Sequence, residues 1–332
     1  MVIVDTTARW ERLADQALSG EAPSREDALA VLASRDDELL QLLGASFRVR
    51  SAAFGRKVKL NMLINAKSGI CPEDCGYCSQ SIVSTAPVAK YQLLSRETLV
   101  AGAREAWARK AGTYCIVASG RRPSARELRE VTDAVREIKQ ELPLKICACL
   151  GLLSDGDATA LKEAGVDRYN HNVNTSRDHH DRITTTHSYD DRVATVEAVK
   201  RAGISPCSGF IAGMGESDEQ IVDVAFALRE LDADSIPVNF LHAIPGTPLE
   251  GMDELEPRRC LRILALLRFV CPTKEIRVAG GREVNLGSLQ PLALYPANAI
   301  FIGNYLTTAG QTAEADYRMI EDLGFEIEEC AL

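Results

Sequence analysis

Three cysteines stand in one short segment, Cys71-Pro-Glu-Asp-Cys75-Gly-Tyr-Cys78, with the spacing CxxxCxxC. Thiolates are the usual ligands of iron in iron–sulfur clusters, and three of them leave one iron of a [4Fe-4S] cluster without a protein ligand. A metal with an open position can bind and activate a small molecule, whereas a fully ligated metal is structural. The segment therefore predicts a catalytic [4Fe-4S] cluster held by Cys71, Cys75 and Cys78.

Two other kinds of metal site are alternatives for this segment. A structural zinc site takes four Cys or His ligands, often in two closely spaced pairs. An electron-carrying cluster of the ferredoxin type takes four cysteines. The next Cys or His after Cys78 is Cys115, so no fourth ligand lies close by in the sequence. The spacing favours the three-cysteine cluster over both alternatives.

A second set of cysteines lies in short apolar segments further along the chain: Cys115, Cys147 and Cys207. A buried cysteine is often only a small apolar residue, so packing is one interpretation. The other is a second metal or sulfur site, because inward-facing residues of different barrel strands converge near the axis. Cys149 would face the same side of its strand as Cys147, so alternation alone does not choose between them.

Polar side chains alternate at Asn170, Asn172 and Asn174. Even spacing on a strand turns all three toward one face, while His171 would point away from it. An amide both donates and accepts hydrogen bonds, so it suits a ureido ring or a ribose hydroxyl. The end of a barrel strand is a common place for such a site.

Short apolar segments alternate with amphipathic segments from about Lys59 onward, and this pattern predicts the elements that position these residues. The predicted strands are Leu60–Asn65, Tyr114–Ala118, Lys145–Leu150, Arg168–Asn172, Ser205–Ile211, Ser235–Leu241, Glu275–Val278 and Ala299–Ile302. The predicted helices are Arg96–Ala111, Ala125–Glu141, Asp155–Ala164, Tyr189–Ala202, Asp218–Leu231, Pro257–Val270 and Ala313–Leu323.

Repeated βα units predict a parallel sheet in an α/β fold. Eight strands favour a closed (βα)8 barrel of the TIM type over an open Rossmann-type sheet, which is the alternative. Leucines at helical spacing predict an N-terminal helical extension over residues 1–50, with a packing role. The barrel, with a C-terminal tail, would then occupy residues 51–332.

The composition limits the classes of partner. The chain has 332 residues and a net charge of −9, from 38 Lys+Arg against 47 Asp+Glu. Such an acidic chain is a poor candidate for binding nucleic acid or an anionic membrane. No apolar run is long enough for a membrane span. The first residues lack the features of a secretory signal, so we expect a cytoplasmic protein whose ten cysteines are not paired in disulfides.

The CxxxCxxC segment resembles the hallmark of the radical S-adenosylmethionine superfamily. The resemblance implies that the amino and carboxylate groups of S-adenosylmethionine chelate the open iron. Electron transfer from the cluster then breaks the sulfonium into methionine and a 5′-deoxyadenosyl radical. Tyr77, between the last two cysteines, would lie near the adenine; ordinary loop packing is the alternative for this residue.

Further strings across residues 55–325 resemble the biotin synthase family. They are Tyr169–Ser176, Ile183–Thr186, Cys207–Gly209, Gly213–Glu216, Val238–Asn239, Gly246–Leu249 and Arg277–Glu283, beside the Cys71–Cys75 string. The resemblance implies a radical sulfurtransferase that closes the thiophane ring of biotin on dethiobiotin. It also implies a [2Fe-2S] cluster inside the barrel, held by Cys115, Cys147, Cys207 and Arg277. Within the family pattern, Gly151 selects Cys147 rather than Cys149 as the ligand.

The resemblance assigns the remaining polar residues as well. Asn170, Asn172 and Asn239 would contact dethiobiotin, while Asn174 and Arg192 would contact S-adenosylmethionine. Some relatives carry Asp where this chain has Asn174, and a solvated charge is the alternative for Arg192. A guanidinium is normally protonated and donates only, so Arg277 would have to lose a proton to bind iron or act as a charged partner of the cluster. A plain ion pair inside the barrel is the alternative.

The resemblance further implies a homodimer that takes electrons from a flavodoxin- or ferredoxin-type donor. Two other functions are open: another radical enzyme of this architecture, of the maturase or mutase type, and a non-catalytic iron–sulfur electron-transfer protein. A zinc-dependent barrel enzyme is a third. Neither the spacing nor the resemblance assigns a role to four remaining cysteines, Cys149, Cys260, Cys271 and Cys330.

Overall fold

Parallel strands and helices alternate through most of the chain in a computed structural model that describes residues 6–329. Cys330 lies outside the described residues. The strands are β1 (Lys57–Lys67), β2 (Thr113–Ala118), β3 (Lys145–Cys149), β4 (Arg168–Asn170), β5 (Ser205–Cys207), β6 (Phe210–Ala212), β7 (Ser235–Phe240), β8 (Glu275–Val278), β9 (Ala299–Phe301) and β10 (Glu326–Ile327). The helices are α1 (Thr6–Leu18), α2 (Arg25–Leu32), α3 (Leu39–Phe54), α4 (Arg96–Ala108), α5 (Ala125–Glu141), α6 (Asp155–Glu163), α7 (His180–Ile183), α8 (Tyr189–Arg201), α9 (Asp218–Glu230), α10 (Pro257–Val270), α11 (Arg282–Leu286) and α12 (Ala313–Asp322).

The strands close into a parallel barrel. Neighbours pair in the order β1-β2-β3-β4-β5-β7-β8-β9, and β9 pairs with β1 to complete the circle. The predicted (βα)8 barrel is confirmed, and the open sheet is wrong. Closure brings the carboxyl ends of all the strands to one face, which is where barrel enzymes place their active sites.

One barrel position is shared by two short strands, β5 and β6. The sequence predicts one continuous strand over Ser205–Ile211, but the structure interrupts it at Ser208 and Gly209. A Cβ on Gly209 would lie 1.9 Å from the carbonyl oxygen of Pro237 in β7. The backbones therefore approach more closely here than any side chain allows, and only glycine fits.

The seven predicted barrel helices all begin at the predicted residue. Most start after a serine whose hydroxyl accepts from a backbone N–H of the first turn: Ser95, Ser124, Ser154, Ser188 and Ser217. Such caps satisfy backbone donors that the helix leaves without partners. Several predicted helix ends lie one to three residues too late, because the last residues form the cap.

The N-terminal helices pack on α10, which is buried from Cys260 to its last residue, Val270. Arg262 of α10 donates to Ser34 (3.1 Å) and to Asp36 (2.6 Å) in the segment between α2 and α3. The predicted boundary at residue 50 falls inside α3, which ends at Phe54. Arg50 is itself buried and donates to the carbonyl oxygens of Lys57 (2.6 Å) and Ala297 (3.3 Å), and so fastens α3 to the barrel.

Two short helices, α7 and α11, and three 3-10 helices were not predicted, because such short segments carry too few residues to show a periodic pattern. Within residues 6–329, no helix combines the length and the apolar character needed to cross a bilayer.

Candidate active site

A cavity of about 340 Å³ opens at the carboxyl ends of the strands. Its walls include nearly all the residues that the sequence predicts for chemistry: Cys71, Cys75, Cys78, Tyr77, Cys115, Asn170, Asn172, Asn174, Arg192, Asn239 and Arg277. Cys147 and Cys207 are buried directly against Cys115. The fold thus brings together residues that are as far apart as 71 and 277 in the sequence.

The three-cysteine segment forms an irregular loop after β1. Burial raises the pKa of all three thiols, that of Cys78 to about 12. Thiols bind metal only as thiolates. Because burial disfavours the thiolate here, the positive charge of the bound metal would have to stabilise it. In residues 6–329, no three Cys, His, Asp or Glu side chains converge as ligands of one ion. In a cluster, each of the three thiolates would bind a different iron.

Asp74 anchors this loop to the segment after α7. Its carboxylate accepts hydrogen bonds from the hydroxyls of Thr184 (2.6 Å), Thr185 (2.5 Å) and Thr186 (3.0 Å). Burial acts to raise the pKa of Asp74, but these hydrogen bonds lower it well below its ordinary value. The N–H of Gly76 also donates to the carbonyl of Ile183 (2.8 Å). The loop is therefore held before any cluster binds.

Glu73 connects the same loop to Arg192 through His187. The Glu73 carboxylate accepts from Nδ1 of His187 and from the hydroxyl of Thr186 (2.6 Å). Nη2 of Arg192 donates to Nε2 of His187. Because an arginine only donates, Nε2 is the acceptor and the imidazole proton sits on Nδ1. His187 is thus neutral and fixed in one tautomer.

Asn174 brings together the three residues predicted for the cosubstrate. In the amide orientation that satisfies its neighbours, its oxygen accepts from the hydroxyl of Tyr77 (2.5 Å) and from both terminal nitrogens of Arg192 (3.1 Å each). Asn174 has φ of 70°, a left-handed conformation that asparagine tolerates better than most residues. Arg192 is 7% exposed, so it is not a solvated surface charge.

The second cysteine set lies deeper, on β2, β3 and β5, and β4 lies between β3 and β5. Cys115 and Cys147 are register partners on β2 and β3, and Cys207 lies opposite Asn170. The interaction of Cys147 with the two other thiols lowers the pKa of Cys115 and Cys207 and raises that of Cys147. Three adjoining thiols without disulfide bonds are more than packing requires.

Cys149 differs from Cys147 in its surroundings. It is half-buried, lies on the cavity wall, and has a pKa raised to about 12 by burial. Cys147, by contrast, is 1% exposed and lies between Cys115 and Cys207. The position of Cys147 supports its assignment to the inner set.

Arg277 lies against the inner thiols, with Nη1 3.9 Å from Sγ of Cys115. Its Nη2 donates to Glu275 (2.6 Å), and its guanidinium lies over the ring of Phe301. Burial alone would lower the pKa of Arg277, but Glu275 and the thiols raise it above the ordinary value. The protein therefore favours the charged guanidinium. Arg277 makes the ion pair that was the alternative interpretation, with Glu275, and it also lies against the thiol of Cys115.

The predicted amide residues surround the space above these thiols. Asn172 accepts from the Nδ2 of Asn170 (3.0 Å) and from the N–H of Gly209 (3.0 Å). Asn239 accepts from the N–H of Gly280 (3.0 Å). His171 also lines the cavity, contrary to the prediction, because β4 ends at Asn170 and strict alternation stops there.

Sequence reasoning gave no role to Glu73, His187 or Glu275, which hold the predicted residues in place. Glu73 could have been found as an acid inside the cysteine segment. Glu275 could have been found as a charged residue in an apolar strand, two positions before Arg277. His187 carries no such signal, because Glu73, its partner at Nδ1, is 114 residues away in the sequence.

A barrel of parallel strands that carries a CxxxCxxC loop above its carboxyl ends defines a radical S-adenosylmethionine enzyme. The model of the Radical SAM superfamily matches residues 66–228, and that of the Biotin and Thiamin Synthesis associated domain matches residues 237–326. S-adenosylmethionine and iron–sulfur clusters are the cofactors of this class.

Relatives in two bacteria define the family. The chain is 65% identical to a biotin synthase of Geobacillus kaustophilus, over 97% of this chain and 96% of that protein. It is 63% identical to a biotin synthase of Bacillus pumilus, over 98% of each. The chain belongs to the biotin synthase family.

Solved structures share the fold at lower identity. A methylornithine synthase superposes with a TM-score of 0.81 at 21% identity, over 96% of this chain and 97% of that one. An FeFe-hydrogenase maturase from Carboxydothermus hydrogenoformans also gives 0.81, at 16% identity, over 98% of this chain and 81% of that one. These likenesses show the barrel fold.

Proposed function

We propose that this protein forms biotin by inserting one sulfur atom between two carbons of dethiobiotin. The observation that carries the proposal is the single cavity that has the three-cysteine loop at its mouth, amide side chains in its wall, and the inner thiols with Arg277 at its base. A non-catalytic protein that only transferred electrons would need no such cavity. The relatives are named biotin synthases, and this name supports biotin as the product.

The outer cysteines, Cys71, Cys75 and Cys78, would hold a [4Fe-4S] cluster. Cys115, Cys147, Cys207 and Arg277 would hold a [2Fe-2S] cluster. When bound, the first cluster and S-adenosylmethionine supply a 5′-deoxyadenosyl radical, and the second cluster supplies sulfur. The carbons of dethiobiotin carry no acidic proton, so acid–base catalysis cannot replace this chemistry.

Tyr77, Asn174 and Arg192 would bind the cosubstrate. Arg192 presents a positive charge that suits the carboxylate of the methionine moiety. Its position is fixed by His187, by Asn174 and by the carbonyl oxygen of Asn172 (2.9 Å). A ribose hydroxyl would replace one of the hydrogen bonds that the side chain of Asn174 makes to Tyr77 and Arg192.

Asn170, Asn172 and Asn239 would bind dethiobiotin. Their amides can donate to the ureido oxygen and accept from the ureido N–H groups, which a carboxylate could not do. The Nδ2 of Asn170 also lies 3.3 Å from Sγ of Cys207, so a ureido ring held there would be next to the inner site. The chain's own contribution is to position the substrate and to keep water away from it.

We also propose the remaining properties that the resemblance implies. Residues 51–332 would form one catalytic barrel, with residues 1–50 as a packing extension. The enzyme would act as a homodimer in the cytoplasm. A flavodoxin- or ferredoxin-type protein would supply its electrons.

The test is anaerobic reconstitution with iron and sulfide, followed by reaction with dethiobiotin, S-adenosylmethionine and a reductant. Biotin and 5′-deoxyadenosine should form together. Formation of 5′-deoxyadenosine without biotin would indicate another radical enzyme, of the maturase or mutase type. Absence of both products in a protein that holds its clusters would indicate an electron-transfer protein.

A further inference from the structure

Glu275 is a buried carboxylate at the base of the barrel, one layer below the inner thiols. It precedes Arg277 by two positions on β8, so both side chains point to the same face of the strand. Three other strands send side chains to it: Lys59 of β1 at 3.1 Å, Arg168 of β4 at 2.8 Å and Ser235 of β7 at 2.9 Å. The residue is 6% exposed.

This carboxylate fixes one nitrogen of Arg277 and leaves the others free for a ligand. Nη2 of Arg277 donates to Oε1 of Glu275 at 2.6 Å. Nη1 has only the sulfur of Cys115, 3.9 Å away, and the buried Nε has no acceptor among the described residues. A buried donor without a partner is costly, so these nitrogens point to a group that accepts from them when it is bound.

The charges around Glu275 are unbalanced. Lys59, Arg168 and Arg277 bring three cations to this one buried carboxylate, and Lys59 has a further, more exposed partner in Glu328 at 3.9 Å. Buried charges are tolerated only when they are paired. The excess positive charge lies directly below the three thiols, where an anionic group would balance it.

We propose that Glu275 is the positioning residue of the inner cluster site: it orients Arg277 toward the cluster and sets the positive charge beneath the thiolates. This inference rests on the proposed function, because it requires a cluster at Cys115, Cys147 and Cys207. Among the described residues, Glu275 makes hydrogen bonds to Lys59, Arg168, Ser235 and Arg277 and none to the inner thiols, so it acts through Arg277. Glu275 lies two residues before Arg277, so the positioning residue and the arginine that it orients are on the same strand, β8.

A purely structural role for Glu275 makes a different prediction. If the carboxylate only joined four strands, its loss would lower the stability of the barrel and affect both clusters equally. If it positions Arg277, its loss changes the inner cluster and spares the outer one. The two clusters in one chain thus act as internal controls for each other.

The test compares Glu275→Gln with the wild type after anaerobic reconstitution. The variant keeps the shape of the side chain and removes its charge. We expect E275Q to hold its inner cluster about 10- to 100-fold more weakly against a chelator, as when hydrogen-bonded partners of metal ligands are removed in other proteins. Its reduction potential, followed by visible and EPR spectroscopy, should be more positive. Cleavage of S-adenosylmethionine without dethiobiotin should stay at the wild-type rate.

Glu127→Gln is the matched control, because Glu127 also pairs with a lysine, Lys67 at 2.7 Å, but does not line the cavity. It should leave both clusters unchanged. An E275Q variant whose inner cluster has wild-type retention and potential would overturn the inference and leave the proposed function intact. A wild-type protein that binds no inner cluster would overturn both.

A second variant covers the case in which E275Q does not fold. Glu275→Asp keeps the negative charge but shortens the side chain, so it should lose the bond to Arg277. We expect a folded E275D whose inner cluster is altered in potential and retention while its outer cluster is normal. An unaltered inner cluster in E275D would also overturn the inference.

Discussion

Glu73 accepts a hydrogen bond from Nδ1 of His187, and this contact joins the cysteine loop to the helix that carries Arg192. Two parts of the site that are 114 residues apart in the sequence are thereby fixed relative to each other. The residue that would bind the carboxylate of S-adenosylmethionine cannot shift without disturbing the loop that would bind the cluster.

The first prediction concerns this connection. Replacing His187 by Ala removes the neutral acceptor that orients Arg192, so the KM for S-adenosylmethionine should rise. Loss of one hydrogen bond to a charged group costs about 1.5–3 kcal/mol, which corresponds to a rise of about tenfold or more. The maximal rate of cosubstrate cleavage should change much less. Steady-state formation of 5′-deoxyadenosine measures both values.

Glu73→Gln should have a smaller effect of the same kind, since it replaces the charged acceptor for Nδ1 of His187 by a neutral amide oxygen. Glu127→Gln serves as its control, because it makes the same change at a carboxylate outside the cavity. A fall in the maximal rate with an unchanged KM would contradict the positioning role of this pair.

The second prediction concerns the choice between two cysteines on β3. Cys147→Ala should remove the visible spectrum of the inner cluster, because Cys147 lies between Cys115 and Cys207. Cys149→Ala should retain that spectrum, since Cys149 lies on the cavity wall. Each variant removes one sulfur atom, and the two positions are two residues apart on the same strand. Each variant therefore controls for the other. The opposite pair of results would show that Cys149 is the ligand.

The sequence was sufficient to predict the barrel, and the barrel brings most of the predicted site residues to one cavity. The βα alternation and the serine caps carry local signals, so each barrel helix begins where it is predicted. The interruption at Gly209 could not be predicted, because it depends on the close approach of Pro237 from another strand. The contacts of Glu73 and Glu275 are likewise tertiary: each joins side chains from several elements, and no spacing in the sequence encodes them.

The third prediction concerns Gly209. An alanine there would place its Cβ against the carbonyl oxygen of Pro237, so the backbone must move. We expect a loss of about 1–3 kcal/mol in the free energy of unfolding, the usual cost of overpacking a core. Because the N–H of Gly209 donates to Asn172, dethiobiotin should also bind more weakly. Chemical denaturation and ligand titration measure the two effects.

Gly156→Ala is the control for this variant. Gly156 lies in α6 with open space around its Cα, and alanine is the better helix former by about 0.5–1 kcal/mol. Its stability should be equal to or above that of the wild type. A G209A variant with wild-type stability would show that the two strands can separate without cost.

The fourth prediction concerns acid sensitivity. Burial, followed by the charge of Arg192, lowers the pKa of His180 and His187. Below the free histidine pKa of about 6.5, the unfolded chain therefore binds more protons than the folded one, and the stability falls with the pH. Thermal unfolding under anaerobic conditions should show a lower midpoint at about pH 5.5 than at about pH 7.5, on either side of that pKa.

Replacing both histidines by Gln should make this dependence shallower, because the two groups no longer titrate in the unfolded chain. A wild-type midpoint that stays constant or rises as the pH falls would contradict the assignment of neutral, buried imidazoles.

The central claim is that Cys71, Cys75 and Cys78 hold a cubane with one iron open to S-adenosylmethionine. Mössbauer spectroscopy of the reconstituted ⁵⁷Fe protein, recorded with and without S-adenosylmethionine, tests it most directly. We predict a [4Fe-4S] signal in which one iron site changes when the cosubstrate is added, and which Cys78→Ala abolishes. A cubane whose four irons do not respond to S-adenosylmethionine, or the absence of any cubane, would contradict the account.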